Sequence, residues 1–211
     1  MSPSTTAPAP ISIQPNAIAK LLAAATYFII SRRIFLSFVV FTLLIADDVW
    51  RGVRPHDVVN IYDPVSVGGG LLVVIGLALR SWAAGILRKD EELTTGGPYR
   101  LMRNPLYLGS FLMMFGFCAL INDSRNFLFV LGPILLLYIV KVRNEERWLS
   151  RLFPAQFAQY ARQTPRFLPR LARTDILAQW STGQWLRSRE YQAVSAAVTA
   201  LLATKVWQTL A

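Results

Sequence analysis

Apolar residues fall into runs too long and too uniform for a soluble core, and short polar connections between them carry most of the charge. Residues 65–87 form the clearest run, interrupted only by Gly68-Gly69-Gly70 and Arg80. At about 1.5 Å per helical residue such a run crosses a hydrocarbon layer of about 30 Å. Residues 106–121 and 127–142 form two more, and the short polar turn Asn122 to Asn126 between them predicts an antiparallel helical hairpin. Upstream, the runs 21–30 and 34–46 are split by Arg32-Arg33. Each falls short of the roughly 20 residues that span a bilayer, so one is expected in the interface while the other crosses with a tilt. Arg80, about two turns from the end of its run, is expected to snorkel to the interface.

After the hairpin the period changes. Trp148, Leu149, Leu152, Phe153, Phe157 and Tyr160 fall on one broad helical face, with Arg147, Arg151, Gln159 and Arg162 between them. This predicts a cytoplasmic amphipathic helix kinked at Pro154, closing over one end of the bundle. Residues 190–207 predict a further helix, amphipathic or weakly inserted. Residues 2–16 are rich in Ser, Thr, Pro and Ala with no basic segment ahead of the first apolar run, which reads as a disordered tail and not a cleaved signal peptide. The expected division is a tail (1–16), N-terminal membrane helices and loop (17–64), a membrane core (65–170) and a C-terminal helical extension (171–211). The expected fold is all-α, a polytopic membrane bundle of about four to five transmembrane helices.

Composition strengthens this picture. Of 211 residues 54% are hydrophobic and 16% charged, against about a quarter charged in soluble domains; mean hydropathy is +0.38. The net charge of +10 raises nucleic acid as a partner. The basic residues flank apolar runs instead of lining one aromatic-rich face, so they read as topology determinants and no nucleic acid is expected. Arg32 and Arg33, then Arg88, Lys89, Arg100 and Arg103, then Lys141, Arg143, Arg147 and Arg151 share one side, cytoplasmic by the positive-inside rule. Asp47, Asp48, Asp57 and Asp63 make the first opposite connection acidic. Cys118 reads as a packing residue, and His56 has no second ligand at metal spacing, so no metal is expected. Short connections and the lack of an organellar targeting peptide suggest a bacterial cytoplasmic membrane, or an endomembrane in a eukaryote.

Chemistry concentrates at the cytoplasmic ends of the hairpin. Asn104-Pro105 has the form of a helix start, since asparagine caps well and proline suits the first helical position. The helix it opens would point its positive dipole end at the interface, where backbone donors with Arg103 beside them suit a carboxylate. Gly96-Gly97-Pro98-Tyr99 before it offers backbone a ligand can approach and a ring that can flank a base or a sulfonium. Across the hairpin, Glu145-Glu146 follow directly on an apolar run, where carboxylates are costly unless paired or used, and Lys141 lies one turn earlier on the same face.

These residues resemble the membrane-embedded S-adenosylmethionine-dependent methyltransferases that include isoprenylcysteine carboxyl methyltransferase and the phospholipid N-methyltransferases. Gly97, Tyr99, Arg103, Asn104, Pro105, Tyr107 and Gly109 look like the family's first motif, and Glu145, Glu146, Leu149, Phe153, Tyr160 and Pro165 to Pro169 like its second. The resemblance implies that Leu93, Thr94, Tyr99, Asn104, Pro105, Leu106 and Tyr107 wrap S-adenosyl-L-methionine, with Glu145 contacting it from the other helix. It also places Lys141 where a basic residue binds the acceptor carboxylate in the isoprenylcysteine enzymes. Two departures are visible: Asn104 stands for the usual histidine and Lys141 for an arginine with a bidentate fork. The activity implied is methylation of a lipid-like or prenylated substrate at a carboxyl, thiol or amine, with Glu146 the nearest base for an amine. Two alternatives stay open: a sterol-reductase-like enzyme using NADPH, and a non-catalytic ligand-binding protein whose glutamates pair with Arg143 or Arg147.

Overall fold

The computed structural model describes residues 33–89, 91–170 and 180–211, with side chains from residue 39 onward. The expected tail (1–16), the run 21–30 and Arg32 lie outside these residues. The chain divides into units 1–40 and 41–211. Of the first, residues 33–40 are described, and they are helical.

Among the described residues the second unit is built of helices alone. In chain order, helix α1 (Arg33–Trp50) is followed by α2 (Pro64–Ala84), a single turn α3 (Pro98–Leu101) and α4 (Pro105–Ile121). Then come α5 (Ser124–Leu152), α6 (Pro154–Gln163), α7 (Thr182–Arg187) and α8 (Glu190–Leu210). Helices α2, α5 and α8 are long and apolar enough to cross a membrane, and α4 is a shorter apolar helix, so the protein is a membrane helix bundle. The segment expected to be at most weakly inserted, 190–207, thus belongs to a helix of spanning length.

Glycine sets the tightest packing. A Cβ on Gly76 would lie 2.5 Å from the Gly109 carbonyl oxygen, and one on Gly116 2.5 Å from that of Gly69. Backbone therefore meets backbone along α2 and α4, the close approach that small residues permit between membrane helices. Within the Gly68-Gly69-Gly70 run only Gly69 has this task, since Gly68 and Gly70 face open space. Helix α2 starts on Asp63, whose side chain accepts from Val65 N at 3.0 Å, with Pro64 at the first position.

The hairpin turn is tighter than expected. Asn122 takes a left-handed conformation (φ 65°), and Asp123 caps α5, which begins at Ser124 and not near 127. Pro133 sits in a π-helical turn, Val130–Ile134, where the wider register accommodates its missing N–H. At the far end the helix breaks outright at Phe153 (φ −129°, ψ 65°) instead of kinking, because a residue before proline avoids the helical region and Pro154 opens α6.

Arg80 does not snorkel. Its Nε and Nη2 donate to Glu190 Oε1 and Oε2 at 2.8 and 3.0 Å, and its Nη1 to Ser110 Oγ. A carboxylate within reach offers a span-embedded guanidinium a closer partner than the interface. At the opposite end of the bundle, buried Asp48 accepts from Arg51 at 2.5 Å and Asn126 at 2.8 Å, tying α1 to α5. There too Lys205 on α8 donates to Asp57 at 2.7 Å, and His56 pairs with Asp63 at 2.6 Å.

Candidate functional site

Where α2 and α5 end and α4 begins, the chain encloses a cavity of about 370 Å³, within the roughly 300–1,000 Å³ typical of small-molecule sites. Leu93, Thr94, Tyr99, Arg103, Asn104, Pro105, Leu106, Tyr107, Lys141, Glu145 and Glu146 all line it. The residues expected from sequence to contact cofactor or acceptor thus meet at one place.

Tyr107 and Glu145 bridge the hairpin: the phenol donates to Glu145 Oε2 at 2.5 Å. Tyr138 fixes that phenol from the side, its ring edge-on to Tyr107 with centroids 5.5 Å apart and 5.1 Å from Phe111. Lys141, half-buried, shares this wall one turn before Glu145.

Glu146 is built differently. Buried, it accepts from Arg166 Nε at 3.1 Å and Nη2 at 2.6 Å and from Asn104 Nδ2 at 3.2 Å, with Arg103 Nε 3.5 Å away. Asn104 also donates to the Arg166 carbonyl at 3.2 Å. The asparagine expected to cap α4 turns its Nδ2 to Glu146 and the Arg166 carbonyl, and no side chain caps the helix's first turn. The segment after α6 folds back over the loop before α4: Arg103 N donates to Pro165 O at 2.8 Å, Arg170 N to Leu101 O at 3.1 Å, and Tyr160 OH to Tyr99 O at 2.7 Å. Gly97, with φ 56°, makes the turn that starts α3.

Two buried donors in this cavity make no hydrogen bond, Tyr99 OH and Arg103 Nε; the second has the Glu146 carboxylate 3.5 Å away as an ion-pair partner, and the first has none. Burial, and then the Glu145 charge, hold the Tyr99 hydroxyl well above the ordinary tyrosine range, so it stays a neutral phenol at physiological pH. An unmet buried hydroxyl and a guanidinium beside an uncapped helix N-terminus make a site arranged for an anionic or polar ligand.

The phospholipid methyltransferase family matches residues 77–156. The chain is also 33% identical over 169 residues, 76% of its length and 74% of the relative's, to the cobalt-zinc-cadmium resistance protein CzcN of Cupriavidus metallidurans. The chain belongs to the phospholipid methyltransferase family. A second relative, the nickel-cobalt-cadmium resistance protein NccN of Alcaligenes xylosoxydans xylosoxydans, is 38% identical over 106 residues, 49% of each chain. No solved structure matches. As a member of this family the protein is a membrane methyltransferase, and the matched residues run from late α2 into α6, taking in most of the cavity wall.

Sequence reasoning missed several residues of this methyltransferase's cavity and its support. Arg166, the main partner of Glu146, lies well beyond the hairpin, whereas Arg143 and Arg147 were the cations weighed; Arg147 in fact donates to Asn144 at 3.2 Å. A buried carboxylate signals that some cation must approach, but only the fold-back of 160–170 says which. Phe157 and Tyr160, expected on an interfacial face, line the cavity, as do Arg88 and Lys89.

Proposed function

We propose that this protein transfers a methyl group from S-adenosyl-L-methionine to a lipid-like or prenylated acceptor, at the cytoplasmic end of a multi-pass bundle. The observation that carries this reading is the unmet buried hydroxyl of Tyr99, beside the Arg103 guanidinium, in a cavity whose far wall is the Tyr107–Glu145 pair. The donor set fits the cofactor's chemistry. The start of α4 and Arg103 suit a carboxylate, Glu145 suits amino or hydroxyl groups, and the rings of Tyr99, Tyr107 and Phe157 suit a sulfonium and a base. When bound, S-adenosylmethionine supplies an electrophilic methyl group for in-line displacement.

The residues then divide by task. Leu93, Thr94, Tyr99, Asn104, Pro105, Leu106 and Tyr107 bind and exclude water, so that acceptor and methyl carbon sit about 3–3.5 Å apart. Lys141 draws an anionic acceptor to the same wall. Glu146, saturated by Arg166, Asn104 and Arg103, is assigned to holding the loop 97–104 against α5 and not to proton transfer. With that carboxylate engaged, the site favours acceptors that arrive deprotonated, a carboxylate or a thiolate. The names of the relatives refer to metal resistance, and we carry no metal-binding role over from them: among the described residues no three His, Cys, Asp or Glu side chains could hold a metal ion.

The test is transfer of label from methyl-labelled S-adenosylmethionine, with purified protein in lipid, to total lipid extract and to prenylcysteine analogues. Label in an organic-soluble acceptor, lost in Glu145→Ala, is expected. No transfer to any of these acceptors, or displacement of S-adenosylmethionine by NADPH, would contradict the reading.

A further inference from the structure

The residues matching the family end at 156, yet a segment beyond them reaches back to the cavity wall. Carbonyls at the exit of α2 receive donors from residues 180–188: Trp180 Nε1 to Ser81 O at 3.1 Å, Ser188 Oγ to Ala84 O at 3.2 Å, Ser181 N to Gly85 O at 2.9 Å, and Gln184 Nε2 to Leu87 O. The fit against α2 is close, since a Cβ on Gly85 would collide with the Trp180 indole. Two residues on, Glu190 grips Arg80, which also holds Ser110 one turn past Tyr107.

One of these contacts bears directly on the cavity. The Leu87–Arg88 peptide is held at both ends: Gln184 donates to its carbonyl, and its N–H donates to Thr94 Oγ1 at 3.1 Å. A peptide unit is planar, so fixing the direction of the carbonyl fixes the opposed N–H. Leu87, Arg88 and Thr94 all line the cavity, and the backbone around them is loop, with no helical ladder to hold it.

We propose that the C-terminal segment 180–190 is part of the binding site, and that Gln184 is a positioning residue which sets Thr94 against the bound cofactor through the Leu87–Arg88 peptide. The proposal rests on the reading of the cavity as an S-adenosylmethionine site. Gln184 touches no ligand itself. Its amide donates, so an isosteric side chain without the donor removes the effect while keeping the packing, whereas a different side chain with a donor preserves it.

The experiment measures S-adenosylmethionine affinity of the full-length protein in lipid and hydrogen exchange of the backbone over 87–94. Gln184→Glu is expected to raise Kd about fivefold, the loss of one hydrogen bond, and to speed exchange over 87–94 without changing it in α4. Gln184→Lys is expected to keep wild-type affinity. Thr94→Val is expected to weaken binding, and adding Gln184→Glu to it to cost little more, because both act through one peptide. Gly85→Ala, which displaces Trp180 from the other side, should speed the same exchange. Unchanged Kd and exchange in Gln184→Glu would overturn the proposal, as would effects that multiply in the double variant. If the wild-type protein binds no S-adenosylmethionine, the functional reading falls and exchange alone decides the role of Gln184.

Discussion

At the scale of single residues, the two adjacent glutamates show how neighbours in sequence part ways. Glu145 meets a tyrosine on the far wall of the cavity, and Glu146 meets Arg166 on the returning chain together with Arg103 and Asn104 at the start of α4. Their chemistry as costly boundary carboxylates was legible from sequence, but which one would be saturated was not, because Arg166 arrives from a segment whose path the periodicity does not fix. Asn104 carries the same lesson. Its capping propensity is real, yet its amide is oriented with Nδ2 donating to a buried carboxylate, and its oxygen makes no bond to the first turn of α4. Arg166→Ala is expected to leave Glu146 with weaker partners and lower stability by about 1–2 kcal/mol, the loss of charge-assisted bonds at a half-exposed arginine. Thermal unfolding in detergent, with cofactor binding measured alongside, checks it; an unchanged midpoint would remove the clamp assigned to Glu146.

At the scale of elements, apolar runs located the helices well and their ends less well. The spans at 65–87 and 106–121 agree with α2 and α4 to within a few residues, since composition alone decides what lies in lipid. The third span proved longer than its apolar run because helix continues through Lys141 to Leu152, carrying Glu145 and Glu146 on helical turns as the Lys141–Glu145 spacing implied. Contacts between elements were beyond the pattern. Three consecutive glycines look alike in sequence, yet only the middle one touches α4. Gly76→Val is therefore expected to destabilise by about 1–3 kcal/mol through overpacking, and to cost ligand affinity by shifting α4. Gly70→Ala, facing open space, is expected to be neutral or stabilising by up to about 1 kcal/mol through helix propensity. Equal effects of the two substitutions on the melting midpoint would deny that backbone contact holds this pair.

At the scale of the whole molecule, the bundle has a ligand end and a latch end. The latch end is rich in ion pairs, and its loop carboxylates set an acid limit. The Lys205 hydrogen bond holds Asp57 below its ordinary 3.8, and Ser66 first, then other contacts, do the same for Asp63. A carboxylate depressed in the folded state contributes stability fully above its unfolded value and loses it as pH falls through the folded one. Acidification below about pH 4 is thus expected to loosen α8 from the 57–63 loop, seen as faster exchange near Lys205. Asp57→Asn should show that looseness already at neutral pH, and a wild-type latch unaffected by acid would count against it. The role of the C-terminal extension was the least legible feature, because apart from the Arg80–Glu190 pair its hydrogen bonds to the end of α2 and the loop after it run through carbonyls that no side-chain pattern announces. The convergence of two motifs on one cavity was the most legible, since both lie at the same end of one hairpin.

The central claim is that Tyr107 and Glu145 close a cavity built for S-adenosyl-L-methionine. Its most direct test is calorimetric titration of that compound into the purified protein and into the Tyr107→Ala and Glu145→Ala variants. Saturable one-to-one binding, weakened about tenfold or more in each variant as expected for losing a charge-assisted bond, is the predicted result. No binding to the wild-type protein, or equal affinity in all three, would contradict it.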